Sequence, residues 1–142
     1  HIRKTGLSVV RRSESEGIEP STKVVLADTM GELVTLLGAS DIVIMGGSFV
    51  PVGGHNMLEA SQWSVPVVTG PHLFNFSYVS RLLLRERAML VAQDAAELAE
   101  VLDHLLRDEA ARIGMGERGA TAVEKEKGAL ERLFQDLQLL LR

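Results

Sequence analysis

The sequence predicts an α/β fold built on a doubly wound parallel sheet. Three observations carry that prediction. Short β-branched runs alternate with longer helical segments along the chain. The run Asp41-Ile42-Val43-Ile44-Met45 is apolar after its first residue, the pattern of a strand covered on both faces. The loops that follow the strand candidates are rich in glycine and polar residues, as ligand loops at the carboxyl ends of parallel strands are. The 142 residues suit one domain with one core, and a hydrophobic content of 46% supplies that core.

Taken in order, Ser8-Val9-Val10 is a weak strand candidate, and Gly17 to Thr22 is a polar turn containing Pro20. Lys23 to Leu26 is a better strand. Met30 to Leu37 reads as a short helix with Leu33, Val34 and Leu37 on one face, capped by Asp28 or Thr29 and closed by Gly38. The buried strand to Met45 feeds a glycine-rich loop, and a helix is expected from about Asn56 to Trp63. Val65 to Thr69 is the next strand, broken by Gly70-Pro71-His72. Phe76 to Arg87 is helical and Ala88 to Val91 makes a last short strand.

The remainder reads as helix. Ala95, Leu98, Val101, Leu102, Leu105 and Leu106 form an apolar stripe behind Asp94, a cap with Glu97 at the capping-box position. Ala110 to Lys127 is more polar, with Gly114, Gly116 and Gly119 weakening its start. Leu130, Leu133, Phe134, Leu137 and Leu140 make a final amphipathic face; packing against the chain's own sheet is the default reading, and contact of the run Leu137 to Leu141 with a membrane surface or another domain is the alternative.

Composition narrows the function. The chain holds 15 basic and 19 acidic residues, a net charge of −4, without the basic excess of a nucleic-acid binder. It has no cysteine, which excludes disulfides, zinc–thiolate sites and thiol nucleophiles. No apolar run reaches the roughly 18 to 20 residues needed to span a bilayer. The chain is therefore expected to be soluble. It opens on His1 without an evident helix cap, and is expected to be a piece of a longer protein.

Three loops follow strand ends: residues 27–31, 46–56 and 70–75. In the central one, Gly46-Gly47 permits a sharp turn and close approach to a ligand, and Gly53-Gly54 does the same before the next helix. The start of that helix offers N–H groups to a phosphate, and Glu59 lies where it can accept hydrogen bonds from sugar hydroxyls. The same residues also read as a capped turn, with Asn56 as the cap and Glu59 completing a capping box. Around Asp28-Thr29-Met30-Gly31-Glu32, the small Gly31 admits a flat group and Glu32 can bond it; a plain capped helix is the other reading. His72 is either a phosphate donor or a satisfied turn residue. Arg11-Arg12 reads as a solvated charge pair, contact with an anionic ligand being the other reading, His104 as a surface residue, and Met30, Met45 and Met57 as packing residues. No Ser/His/Asp triad or metal-ligand spacing is present.

The run GGSFVPVGGHNMLEA, preceded by DTMGEL and followed by PVVTGPHLFNF, closely resembles the C-terminal domain of the 3-deoxy-D-manno-octulosonic acid (Kdo) transferases of lipid A biosynthesis. RRSE near the start and KGALERL near the end match that family in order and spacing. The resemblance implies a GT-B glycosyltransferase, in which two Rossmann-like domains face each other across a cleft. The C-terminal one binds the donor CMP-Kdo, and the N-terminal one binds a lipid A precursor and contacts the membrane. Residues 1–142 then form the donor domain, truncated at its N-terminus. The first strand and a His-Pro-Glu-Arg-like segment are expected upstream. Met30, Gly31 and Glu32 match one nucleotide-contacting segment, and Asn56, Met57, Leu58 and Glu59 match the other. Gly47, Gly53, Gly54, His55, His72 and Asn75 are supporting candidates.

The resemblance also implies that the catalytic carboxylate lies outside this chain, that no metal or other cofactor is needed, and that the parent works at the cytoplasmic face of the bacterial inner membrane. Family members often read Glu-Pro-Ala-Ala or Glu-Ala-Ala where this chain has Glu59-Ala60-Ser61-Gln62-Trp63, a departure that bears on packing behind the glutamate. Two alternatives stand beside this reading. One is a GT-B domain for a UDP-sugar. The other is a non-enzymatic doubly wound interaction module, which would gather acids at strand ends; Asp28 and Asp41 do not, because Asp41 opens its strand.

Overall fold

The computed structural model describes the backbone of residues 2–14 and 17–140, and the side chains of those residues apart from residue 3 and residues 129–140. The chain divides into two compact units, one ending at Leu36 and the other beginning at Leu37.

The first unit is built on a parallel strand pair, β1 (Val9–Arg11) and β2 (Val24–Leu26), in register Val9 to Val24 and Arg11 to Leu26. Both runs are β-branched, as the sequence predicts. Among the described residues no α-helix lies between them, and a 3-10 turn over Arg12–Glu14 follows β1. Ser8 pins the segment before β2, its hydroxyl donating to Ser21 O at 2.9 Å and accepting from Lys23 N at 2.9 Å.

The helix expected from Met30 begins three residues later, as α1 (Leu33–Gly38). Gly31 has φ +84°, outside the helical region, so Met30-Gly31-Glu32 forms a turn instead. Neither Asp28 nor Thr29 caps this helix: Asp28 bonds Ser13 and Thr29 bonds Glu32. Leu33 and Val34 are exposed, and Leu37 alone of the expected apolar face packs on a core.

The second unit holds a three-stranded parallel sheet in the order β3 (Val43–Met45), β4 (Val67–Thr69), β5 (Met89–Val91). β4 is central and wholly buried. Around the sheet are α2 (Leu58–Ser61), α3 (Ser77–Arg85), α4 (Ala95–Arg107) and α5 (Glu109–Leu140). Side chains alternate across each strand. Val43, Met45, Val67 and Met89 join Met57, Ala60, Leu82, Leu83 and Ala122 in one apolar cluster, while Val68 on the other face meets Ala92, Leu105 and Met115. A fully buried Leu or Met side chain contributes about 1.5–3 kcal/mol, which makes Leu83, Met57 and Met89 principal supports.

Two expectations about burial are corrected. β3 is not covered on both faces: Ile44 is 43% exposed, because the cover on its side is centred on Val68 of β4 and leaves the flanking strands open. In α4, Leu98, Val101 and Leu105 face the core, but Leu106 points outward. The cap at Asp94 is present, accepting from Ala96 N and Glu97 N at 2.9 and 3.0 Å, and Glu97 accepts from Gln93 N at 2.7 Å.

The glycines expected to weaken the last helix do different work. α5 runs unbroken for 32 residues through all three. A Cβ on Gly116 would overlap the Ser64 carbonyl, and one on Gly119 would lie 3.3 Å from Ser61 Cβ. These positions let the segment after α2 lie directly on the helix backbone. The final amphipathic face falls among side chains outside the described residues.

Two residues after α3, Arg87 has a φ of +54° and takes the place usually held by glycine. Ala88 N donates to Leu83 O at 2.8 Å and Arg87 N to Leu84 O at 3.0 Å, closing the helix. Arg118 donates to Arg87 O at 2.9 Å and holds the turn in place.

Candidate functional site

The loops that the sequence singles out do follow the carboxyl ends of parallel strands, each within its own unit. In the first unit, β1 and β2 end in register and deliver Arg12–Glu14 and Asp28–Glu32 to the same edge of the pair. Asp28 accepts from Ser13 N at 3.0 Å and from Ser13 Oγ at 2.8 Å. Those two bonds, with smaller help from Arg11, hold the Asp28 carboxyl below its ordinary value. Arg12 Nη2 lies 3.0 Å from Glu32 Oε1, and the Thr29 hydroxyl donates to Glu32 Oε2. Arg11 pairs with Glu14 at 3.3 Å. Both arginines are thus exposed to solvent, as expected, and each also carries an acidic partner. Met30, in the same turn as Glu32, is 96% exposed.

In the second unit, a 3-10 turn over Gly46–Ser48 follows β3 directly. Ser48 is completely buried. Its hydroxyl donates to Met45 O and accepts from Gly70 N at 2.6 Å, and its carbonyl accepts from His72 N at 3.0 Å. Gly70 has no room for a side chain, since a Cβ would come within 2.5 Å of Ser48 O and 2.8 Å of Phe49 Cα. Further along, Asn75 donates to Val52 O at 3.1 Å. Gly53 and Gly54 have φ of +95° and +78°; a Cβ on Gly53 would strike the Asn75 amide and Phe74, and one on Gly54 would touch His72 O at 3.5 Å. A Cβ on Gly47 would lie 3.4 Å from the His55 ring. The structure therefore brings Gly47, Gly53, Gly54, His55, His72 and Asn75 together as two interlocked loops.

Asn56 and Glu59 follow at once. Asn56 Oδ1 accepts from Leu58 N at 3.2 Å, and Asn56 Nδ2 donates to Glu59 Oε1 at 3.3 Å. Both side chains are half-buried. The expected helix from Asn56 to Trp63 is a single turn, Leu58–Ser61, because residues 62–64 leave it and Ser64 adopts φ +58°. One turn sums too few peptide dipoles to present the half-charge of a long helix, so attraction for an anion falls to individual N–H groups. Met57 is 0% exposed with its side chain in the core, so no part of it, backbone or side chain, is open to solvent. Ser61, at the departure from the family pattern, is buried; its hydroxyl donates to Met57 O at 3.1 Å.

Sequence reasoning missed Ser48 as the link between the two loops and Arg12 as the partner of Glu32. The signal for the first was a serine directly after Gly46-Gly47, and for the second the RRSE motif at the end of a strand. Among the described residues, no group of three or more His, Cys, Asp or Glu side chains is placed to hold a metal ion, and no helix is long and apolar enough to cross a membrane.

The match to known proteins is extensive. Residues 7–122 match the family described as glycosyl transferases group 1. The 3-deoxy-D-manno-octulosonic acid transferase of Haemophilus influenzae is 37% identical over 138 residues, 96% of this chain and 32% of the relative. The enzyme of the same name from Bordetella pertussis is 36% identical over the same shares. The crystal structure of the C-terminal CMP-Kdo binding domain of WaaA from Acinetobacter baumannii superposes with a TM-score of 0.80 at 35% identity, covering 85% of this chain and 63% of that one. The chain spans about a third of the length of the curated relatives it matches. With its parallel strands, its strand-end loops and this match over most of its length, the chain belongs to the glycosyl transferases group 1 family.

Proposed function

We propose that this chain is the donor domain of a Kdo transferase and holds the nucleotide of CMP-Kdo. The parent protein then transfers Kdo to a lipid A precursor at the cytoplasmic face of the bacterial inner membrane. The observation that carries this reading is the placement of the two matched segments, Met30–Glu32 and Asn56–Glu59. Each follows a parallel strand, and each holds a carboxylate that the fold leaves partly accessible. The Kdo transferase names of the relatives and the CMP-Kdo binding domain with a TM-score of 0.80 support the donor.

In this reading Glu59, steadied by Asn56, accepts hydrogen bonds from the ribose hydroxyls. Met30, Gly31 and Glu32 line the cytidine. Backbone N–H groups of the stretch 54–56, with His72, meet the phosphate. A carboxylate of the acceptor domain, outside these residues, takes the proton of the acceptor hydroxyl. The hydroxyl oxygen attacks the anomeric carbon of Kdo from the opposite face. The bond from that carbon to the phosphate oxygen breaks, and CMP leaves with the electron pair. Donors aimed at that oxygen act where charge develops, and losing one costs about 3 kcal/mol of barrier. No metal is assigned a role.

Glu59→Ala in the full-length parent is expected to lower kcat/KM for CMP-Kdo at least tenfold. Unchanged donor kinetics overturn the assignment. Calorimetric titration is expected to show CMP bound more tightly than UDP; the reverse order favours the UDP-sugar alternative. The chain alone is expected to transfer no Kdo, so transfer by it overturns the division of labour.

A further inference from the structure

The Arg12–Glu32 pair invites an explanation that folding does not provide. The two side chains are 40% and 37% exposed, and pairs at such positions contribute about 0–1 kcal/mol to stability. Yet Glu32 is held at both oxygens, by Arg12 at Oε1 and by Thr29 at Oε2. Behind it, two hydrogen bonds from Ser13 to Asp28 fasten the turn to the end of β1. Gly31, with φ +84° and nothing within 4 Å of its Cβ position, leaves the approach open. Met30 stands beside it almost wholly in water, an apolar side chain with no packing role in the fold.

We infer that Glu32, aimed by Arg12 and Thr29, reads the base of the donor by accepting a hydrogen bond from the exocyclic amino group of cytosine, with Met30 covering the flat ring. This rests on the donor reading above, in which residues 30–32 line the nucleotide. A carboxylate offers about four acceptor positions and no donor. Two are used by Arg12 and Thr29, and the rest can serve a ligand. Cytosine carries an amino donor at the position where uracil carries a carbonyl acceptor. Facing uracil, Glu32 would set acceptor against acceptor and leave both groups unpaired, the kind of mismatch that separates close analogues well. Thioether sulfur packs favourably against aromatic rings, which gives the exposed Met30 a partner. Arg12 is a positioning residue here: it touches the carboxylate, and the carboxylate touches the base.

The test is a calorimetric titration of CMP and UMP against the full-length protein carrying this chain, as wild type, Glu32→Gln, Arg12→Ala and Arg12→Lys. The readout is the ratio of the two affinities on each sample, which cancels any loss of folded protein. Wild type is expected to prefer CMP by about tenfold or more. Glu32→Gln, whose amide can donate to uracil, brings the ratio close to one, mainly by strengthening UMP. Arg12→Ala lowers the ratio several-fold through weaker CMP binding, and Arg12→Lys restores part of it. A Glu32→Gln protein that keeps the full preference for CMP overturns the inference while leaving the donor reading intact. An Arg12→Ala protein with an unaltered ratio overturns the role of Arg12. Wild type that binds no CMP overturns the donor reading itself.

Discussion

The two loop regions proposed to meet the nucleotide are held in opposite ways. Residues 28–32 are fastened from outside by charges and hydroxyls that water can reach: Arg12 on Glu32, Ser13 on Asp28, Thr29 on Glu32. Residues 46–56 are fastened from inside, by a buried serine and by glycines against which backbone and side chains close without clearance. The outer clamp depends on ionic strength and pH and costs little to rearrange. The inner lock depends on shape and on satisfied buried polar groups.

The sharpest way to break the comparison is to add a methyl group to each region. Gly70→Ala drives a Cβ into the backbone of Ser48 and Phe49, which cannot swing aside, and is expected to cost about 3 kcal/mol in urea denaturation. Ser48→Ala comes next. It leaves the buried Gly70 N–H without its partner and is expected to cost about 1–3 kcal/mol on the same measure. Gly31→Ala meets no atom, so its penalty is the left-handed backbone alone, about 1–2 kcal/mol. If Gly31→Ala proves as costly as Gly70→Ala, the outer region is not the loosely held one.

The smallest effect concerns Asp28. Its folded pKa is depressed, by the Ser13 bonds first, so its stabilising contribution is fully present above the ordinary value of 3.8. That contribution is lost as pH falls below 3.8 through the lowered folded value. Asp28→Asn is expected to lower the melting temperature slightly at pH 7 and to flatten its dependence on pH in that acid window. The Gly46–Asn56 loop, locked by neutral groups, should melt without that signature. A wild-type profile retained by Asp28→Asn would place the acid sensitivity elsewhere.

How much of this was legible in the sequence follows from the range of each interaction. The five strands, the polar strand-end loops and the cap at Asp94 rest on neighbours within a few residues, and periodicity and capping rules find them. What was misread depends on distant partners. Gly116 and Gly119 carry no local sign that Ser64 and Ser61 lie against them. Ile44 belongs to an apolar run, and only the position of the cover over Val68 leaves it in water. Arg12 lies twenty residues from Glu32, joined by the parallel register of β1 and β2, which no local pattern reveals. In the candidate site, Asn56 and Glu59 were legible as a pair because a helical turn separates them. The burial of Met57 was foreseen only in its general character as a packing residue.

The contact between Gly116 and Ser64 works as a key in a slot. If α5 slid by one residue, Met115 or Glu117 would meet a carbonyl that only a glycine can approach, so the helix has one permitted register against that segment. Ser61 and Ser64 in turn close the helical turn that begins just after Asn56 and carries Glu59. The distance along α5 is thereby converted into the placement of a carboxylate on another element. An insertion ahead of Gly116 would be felt at Glu59, although the two share no bond.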